Sequence, residues 1–265
     1  MGMGMLSVLL RPEPVAEQDR LARGEDARGR AFVARHQDMP VWLRATLAWL
    51  LSAVVAPVRD FFSRFGRFAL VMLALVASFR VTDIAMASMA NPLYIDLGYS
   101  KAMIANISGA WGLGMTILGA LLGGSLATRF GILRPLLAAA FLAAVTNLLF
   151  AWMAGQDGAT HALVLTISAD NLSGGLAGSV FIAWLSSLTN VRYTATQYAL
   201  FSSLMTLPGK FLSGFGGIVV DAMDYPTFFT LSALLGLPAV GLILIIMKYQ
   251  PAPATVDAPT RGDGK

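Results

Sequence analysis

The chain has 265 residues, 56% of them hydrophobic and only 13% charged, against about 25% charged in soluble domains, and its mean hydropathy is +0.67. That composition leaves too little polar surface to face water, so lipid is the solvent for most of the chain. With no cysteine and two widely separated histidines, His36 and His161, disulfides, thiolate catalysis and clustered Cys/His metal sites are excluded.

From the start, Met1–Leu10 is an apolar stretch running into Arg11-Pro12-Glu13-Pro14. It is too short to span and lacks a cleavage site of small residues, so it reads as the last turns of a truncated transmembrane helix. Arg11–Pro40 is polar and poor in aromatics, as in a flexible loop. Val41–Phe65 is apolar but interrupted by Arg44, Pro57, Arg59, Asp60 and Arg64. A seventh span is one reading. A helix lying at the interface, anchored by Trp42 and Trp49, is the better one, because a span would reverse the topology derived below. Residues 1–67 hold ten arginines and seven acids, a balance of +3. Beside a membrane domain, that bias suits an anionic leaflet and not nucleic acid.

Six apolar runs follow, near Phe68–Ala90, Ala102–Ala127, Ile132–Ala154, His161–Leu188, Ala195–Val220 and Pro226–Met247. Turn formers separate them: Asn91-Pro92, Phe130-Gly131, Gly155, Asn190 and Asp224-Tyr225-Pro226. The spacing predicts an all-α membrane protein, with a linker over 1–67, a six-helix bundle over 68–248 and a disordered tail over 249–265. One set of connections carries Asp96, Lys101, Asp157, Asp221 and Asp224; the other carries Arg129, Arg134, Arg192 and Lys248 with no acid. The positive-inside rule puts the second set, and both termini, in the cytoplasm.

Four ionised residues fall in the interiors of the spans: Arg80, Asp83, Asp170 and Lys210. Each costs about 2.5–3.5 kcal/mol at a helix centre facing lipid. They balance in charge and occupy only the first, fourth and fifth spans, so those helices share a polar interior. Two ion pairs locking helices together would explain them; a water-filled cavity for a polar solute would do so too. Arg80 and Asp83, three apart, share a helix face. Arg80 offers a planar fork to a substrate carboxylate, and Asn171 and Lys210 are further candidates for solute binding. Asp83 and Asp170 are candidate proton carriers, since partial desolvation favours a neutral carboxyl.

Small residues are read as packing. Gly119-x-x-x-Gly123, and Gly174 with Gly178, permit close helix approach. Pro208-Gly209, just before Lys210, predicts a kink in the fifth span. Trp111, Trp152 and Trp184 read as packing or interface aromatics and not as substrate platforms. No G-x-x-x-x-G-K-[ST] loop occurs, and no Ser-His, metal or carboxylate-dyad constellation suggests an enzyme. No cofactor is expected.

Residues 123–134, GGSLATRFGILR, contain G-x-L-A-x-R-x-G-x-x-R, led by Gly124, Arg129, Gly131 and Arg134. This resembles the loop motif of the major facilitator superfamily, with Thr128 where the usual aspartate stands. Arg129 and Arg134 are expected to grip the carbonyl ends of neighbouring helices. The blocks FRVTDIAMASMANPLYIDLGYSK (79–101), ISADNLSGGLAGSVFIAWLSSLTN (167–190) and YTATQYALFSSLMTLPGKFLSGFGG (193–217) are similar to the AmpG muropeptide permeases, over about Val54 to Leu244.

The resemblance implies proton-driven import of anhydromuropeptides for cell-wall recycling across the bacterial inner membrane. Another bulky anion, such as a coenzyme A thioester, or a non-transporting scaffold are the alternatives. It also implies that the six spans are the C-terminal half of a twelve-helix fold. Arg80, Asp83 and Asp170 then fall on cavity-lining helices, Lys210 on a flanking one, and the third and sixth spans stay outside. The chain is accordingly expected to need an N-terminal six-helix half, and to be a gene fragment, a split half or a self-associating half.

Overall fold

The computed structural model describes residues 34, 40–50, 54–190 and 193–249, all in helices and short connections. The Met1–Leu10 stub, most of Arg11–Pro40, Arg192 and the tail after Tyr249 lie outside these residues. The helices in chain order are α1 Val41–Leu50, α2 Ala56–Phe65, α3 Phe68–Phe79, α4 Val81–Asp96, α5 Lys101–Ile104, a π-helical stretch Ala105–Trp111, α6 Gly112–Phe130, α7 Leu133–Met153, α8 Thr160–Leu188, α9 Thr194–Ser213, α10 Gly216–Ala222, α11 Tyr225–Leu234 and α12 Leu237–Tyr249. No strand occurs among the described residues. The chain divides into two units, one of residues 1–73 with 184–204 and one of residues 74–183 with 205–265.

Among the described residues, five helical stretches are long and apolar enough to cross a membrane: Phe68–Asp96, Lys101–Phe130, Leu133–Met153, Thr194–Ala222 and Tyr225–Tyr249. The sixth expected span is α8, which at 29 residues is about 44 Å long. Asp170, Asn171 and Ser173 dilute its apolar character. The chain is an all-α, multi-pass membrane protein.

One boundary differs from the sequence reading. Asn91-Pro92 is not a turn: α4 runs through Pro92 to Asp96. A proline forfeits one backbone hydrogen bond, which membrane helices tolerate. The chain turns instead at Gly98, whose φ of +79° suits glycine. Pro208-Gly209 lies inside α9, which continues to Ser213 before helical structure is interrupted at Gly214-Phe215.

In the first unit, α2 explains charges that had looked out of place. Pro57 sits in its first turn and Gly66, at φ +54°, ends it. Phe61 is buried, 5.3 Å from Phe201 by ring centroids. Asp60 accepts from Asn190 Nδ2 at 3.1 and 3.2 Å and from Gln197 Nε2 at 3.4 Å. Gln197, itself buried, also donates to the Pro57 carbonyl and accepts from the Asn190 N–H at 2.7 Å. Arg64 donates to the Leu188 carbonyl at 3.1 Å. Asp60 and Arg64 therefore tie α2 to the α8–α9 connection. Trp42 and Trp49 on α1 are exposed.

The core of the second unit is aromatic and aliphatic, with Phe150, Phe229, Leu163 and Leu93 all but inaccessible. α7, whose only charged residue is Arg134 in its first turn, packs chiefly on α11 and α12. Three connections interlock at one end. Tyr99 donates to the Ala159 carbonyl at 2.8 Å, and Tyr225 to Asp96 at 2.6 Å. Asp224 caps α11 by accepting from the Thr227 N–H at 2.7 Å. These are the connections that the alternation of spans places on a common side.

α6 and α8 are in backbone contact. A Cβ on Gly119 would fall on the Leu172 carbonyl, and one on Gly175 would fall on the Thr116 carbonyl. Gly123, also buried, faces the Leu176 backbone. The Gly119/Gly123 reading holds. On α8, Gly175 is the packed residue; Gly174 and Gly178, expected to pack, face nothing within 4 Å.

Candidate functional site

The site residues of the second unit gather where α3 gives way to α4. Arg80 occupies the break, with φ −97° and ψ 0°. Its guanidinium lies 3.6 Å from Asp83, one turn on, with the two side chains 31% and 24% exposed. Asp170, on α8, is within electrostatic reach of both, and the Thr146 hydroxyl of α7 lies beside it. Tyr94 of α4 also feels its charge. Residues 90 positions apart in sequence thus form one charged layer, of one cation and two carboxylates. An excess of one negative charge in a helical bundle suits binding of a proton or of a cationic group.

Asn171 faces the other way along α8, toward α6. Its Oδ1 accepts from Thr116 at 3.0 Å, its Nδ2 donates to the Ile167 carbonyl at 2.9 Å, and Gly112 passes 3.1 Å away by its would-be Cβ. Trp111, at the end of the π stretch, donates its indole N–H to Ser168 at 2.7 Å.

Lys210 is not in this cluster. It is exposed, and among the described residues it forms no ion pair. A partnership with Asp170 is therefore not observed; the groups acting on Asp170 are Asp83, Arg80 and Thr146. Its neighbour Gly209 is nonetheless pressed on Ile84, with a would-be Cβ 2.7 Å from the Ile84 Cβ. α9 is thereby held against the residue following Asp83.

The loop motif is built differently from expectation. Gly131 has φ +76° and ends α6, a conformation costly for other residues. Gly124 is exposed, with nothing within 4 Å. Arg129 and Arg134 are exposed and grip no helix-end carbonyl among the described residues; Arg129 instead lies 5.3 Å over the ring of Phe130. Without the usual aspartate, nothing at Thr128 pulls the guanidinium inward; the Thr128 hydroxyl bonds back to Ser125.

Three polar residues escaped the sequence reading. Thr82, Asn147 and Ser173 are buried, and their side-chain polar atoms have no hydrogen-bond partner among the described residues. Two of them adjoin the charged layer in sequence, Thr82 beside Asp83 and Asn147 beside Thr146. A lone amide in the apolar run LAAAFLAAVTNLLF was the available signal, because buried polar groups in membrane helices are costly. Among the described residues no group of His, Asp and Glu could hold a metal ion.

No family model matches the chain. Among curated proteins it is 32% identical over 199 residues to the transporter AmpG 4 of Rickettsia conorii, covering 75% of this chain and 47% of the relative. It is 31% identical over 206 residues to AmpG 4 of Rickettsia felis, covering 78% and 49%. It is 32% identical over 202 residues to the anhydromuropeptide permease of Escherichia coli K12, covering 76% and 40%. The chain spans about half the length of the curated relatives it matches.

Proposed function

From its place in the AmpG-type permease family, to which the chain belongs over the half of the relatives that it matches, we propose that it forms one six-helix half of a proton-driven importer of anhydromuropeptides. The observation that carries this reading is the charged layer of Arg80, Asp83 and Asp170, set inside helices that align with proteins named as permeases. A pure helix lock would close each cation on one acid. Here Arg80 pairs with Asp83 of its own chain segment and not across helices, no ion pair closes on Asp170 among the described residues, and both members of the Arg80–Asp83 pair keep partial exposure.

In this reading Arg80 takes the anionic group of the solute, as a guanidinium fork suits a carboxylate. Asp170 or Asp83 carries the driving proton, and arrival of one proton balances the layer at zero. Asn171, on the α6-facing side of α8, and the exposed Lys210 of α9 would meet the solute away from this layer. An exposed Lys210 midway along Thr194–Ala222 costs about 2.5–3.5 kcal/mol against lipid, so it faces water, solute or a second half. On this reading the second half is an N-terminal six-helix bundle, as the resemblance to the family implies. The assembly then lies in the inner membrane, as the family resemblance implies, and the loop charges support cytoplasmic termini.

The test is uptake of labelled anhydromuropeptide by vesicles containing the chain and its complementary half. Arg80→Gln, inserted normally, loses at least tenfold in uptake at sub-saturating solute. Unchanged uptake by that variant removes Arg80 from the site. Uptake competed by a coenzyme A thioester and not by muropeptide replaces the solute.

A further inference from the structure

We propose that Trp111 is a stacking platform for the uncharged ring portion of the solute, held in place by Ser168. The inference rests on the muropeptide reading and adds to it a surface for the sugar, remote in sequence from the charged layer.

The position of Trp111 is set by three features. The π-helical stretch Ala105–Trp111 ends on it, and π turns recur at functional sites because they re-aim one side chain without breaking the helix. The indole N–H is fixed on Ser168 at 2.7 Å. Directly after it, Gly112 and Gly119 hold α6 against α8, and Thr116–Asn171 adds a second polar tie at 3.0 Å. The ring therefore stands on a rigid seam.

Despite that anchoring, Trp111 remains 53% exposed, so the bond to Ser168 satisfies its polar edge and leaves ring surface open. The surroundings argue against lipid as what covers it. On the π stretch itself the exposed neighbours are Ala105, Asn106, Ser108, Gly109 and Ala110, a small and partly polar set; the first exposed large aliphatic is Leu113, at 61%. One to two turns on, the exposed residues become Ile117, Leu118, Leu121 and Leu122, as lipid contact requires. A headgroup anchor is also excluded by position, because Trp111 lies ten residues inside Lys101–Phe130, about 15 Å from its start. Binding sites for small molecules combine aromatic surface with a few fixed polar groups. Trp111, Ser168 and Asn171 supply both. The apolar face of a pyranose, with its N-acetyl group directed at Ser168 or Asn171, matches that pairing.

The test is equilibrium binding of the disaccharide N-acetylglucosaminyl-anhydro-N-acetylmuramic acid, without peptide, to the chain assembled with its complementary half in lipid nanodiscs. Tryptophan emission is recorded in the same titration. The disaccharide is expected to shift the emission of the parent, and the shift disappears in Trp111→Phe. Affinity falls at least tenfold in Trp111→Ala and in Trp111→Leu, which retains apolar bulk, but less in Trp111→Phe. Ser168→Ala weakens binding several-fold. Parent-like affinity in Trp111→Leu overturns the platform while leaving the muropeptide reading standing. A parent that binds a coenzyme A thioester but not the disaccharide overturns both.

Discussion

Replacing Gly119 with alanine tests whether α6 and α8 form the rigid seam on which Asn171 and Trp111 depend. The added methyl would fall on the Leu172 carbonyl oxygen, 2.9 Å from its carbon and 3.0 Å from the Leu176 nitrogen. All three atoms are backbone, so no rotamer change relieves the clash. The helices must separate, at the 1–3 kcal/mol typical of overpacking, written here as about 2 kcal/mol. Separation also weakens Trp111–Ser168 and Thr116–Asn171, at about 0.6 kcal/mol for each interhelical bond in a membrane protein. Alanine returns up to about 1 kcal/mol of helix propensity. The net destabilisation is about 2 kcal/mol. Gly114→Ala and Gly124→Ala are the controls: both lie in α6 with nothing within 4 Å, so they are neutral or stabilising by up to about 1 kcal/mol. Denaturant unfolding of the three variants in detergent micelles measures the difference. If Gly119→Ala unfolds at the same midpoint as Gly114→Ala, the backbone contact does not exist in the protein.

Other expectations follow from the charged groups. Asp170→Asn and Asp83→Asn, compared separately, should leave solute exchange intact, and at least one should abolish accumulation driven by a pH gradient; accumulation in both variants moves the proton elsewhere. Asp60→Ala removes the acceptor for Asn190 and Gln197 and should expose the α8–α9 connection to limited proteolysis, which Asn190→Ala reproduces in part; unchanged cleavage of both variants refutes the tie. At Asp224, hydrogen bonds from the Thr227 side chain and N–H hold the carboxyl below its ordinary value. The folded form is the one that binds its proton less readily, so the cap stabilises α11 above the ordinary carboxylate range. That contribution fades as pH falls through the depressed value. Asp224→Asn should flatten this acid limb of the unfolding curve, and an unaltered limb would contradict the assignment.

Much of the fold was legible because lipid imposes a simple rule: a span needs about 20 apolar residues, and the runs of this length stand out in the sequence. The charged layer was legible for the same reason, as Arg80, Asp83 and Asp170 are conspicuous among apolar neighbours. What escaped depended on geometry between helices. Periodicity marked Gly174 and Gly178 as packing residues, yet the rotation of α8 presents Gly175 to Thr116. Pro92 looked like punctuation, but a membrane helix absorbs the single bond it lacks. Asp60 and Arg64 looked like interruptions of an apolar helix. Their partners, Asn190 and Leu188, lie more than 120 positions away, where no local pattern reaches. Trp111 read as an ordinary aromatic because the π stretch that aims it leaves no mark in composition.

The central claim is that this half-bundle moves anhydromuropeptide in response to a proton gradient. Its most direct measurement uses vesicles carrying the chain together with the N-terminal half of the Escherichia coli anhydromuropeptide permease, with labelled disaccharide outside and the pH gradient set or collapsed. The account predicts accumulation above the external concentration with the gradient inward, equilibration without it, and neither in Arg80→Gln. Assembled vesicles that accumulate no disaccharide under the gradient, or accumulate it equally after collapse, would contradict it.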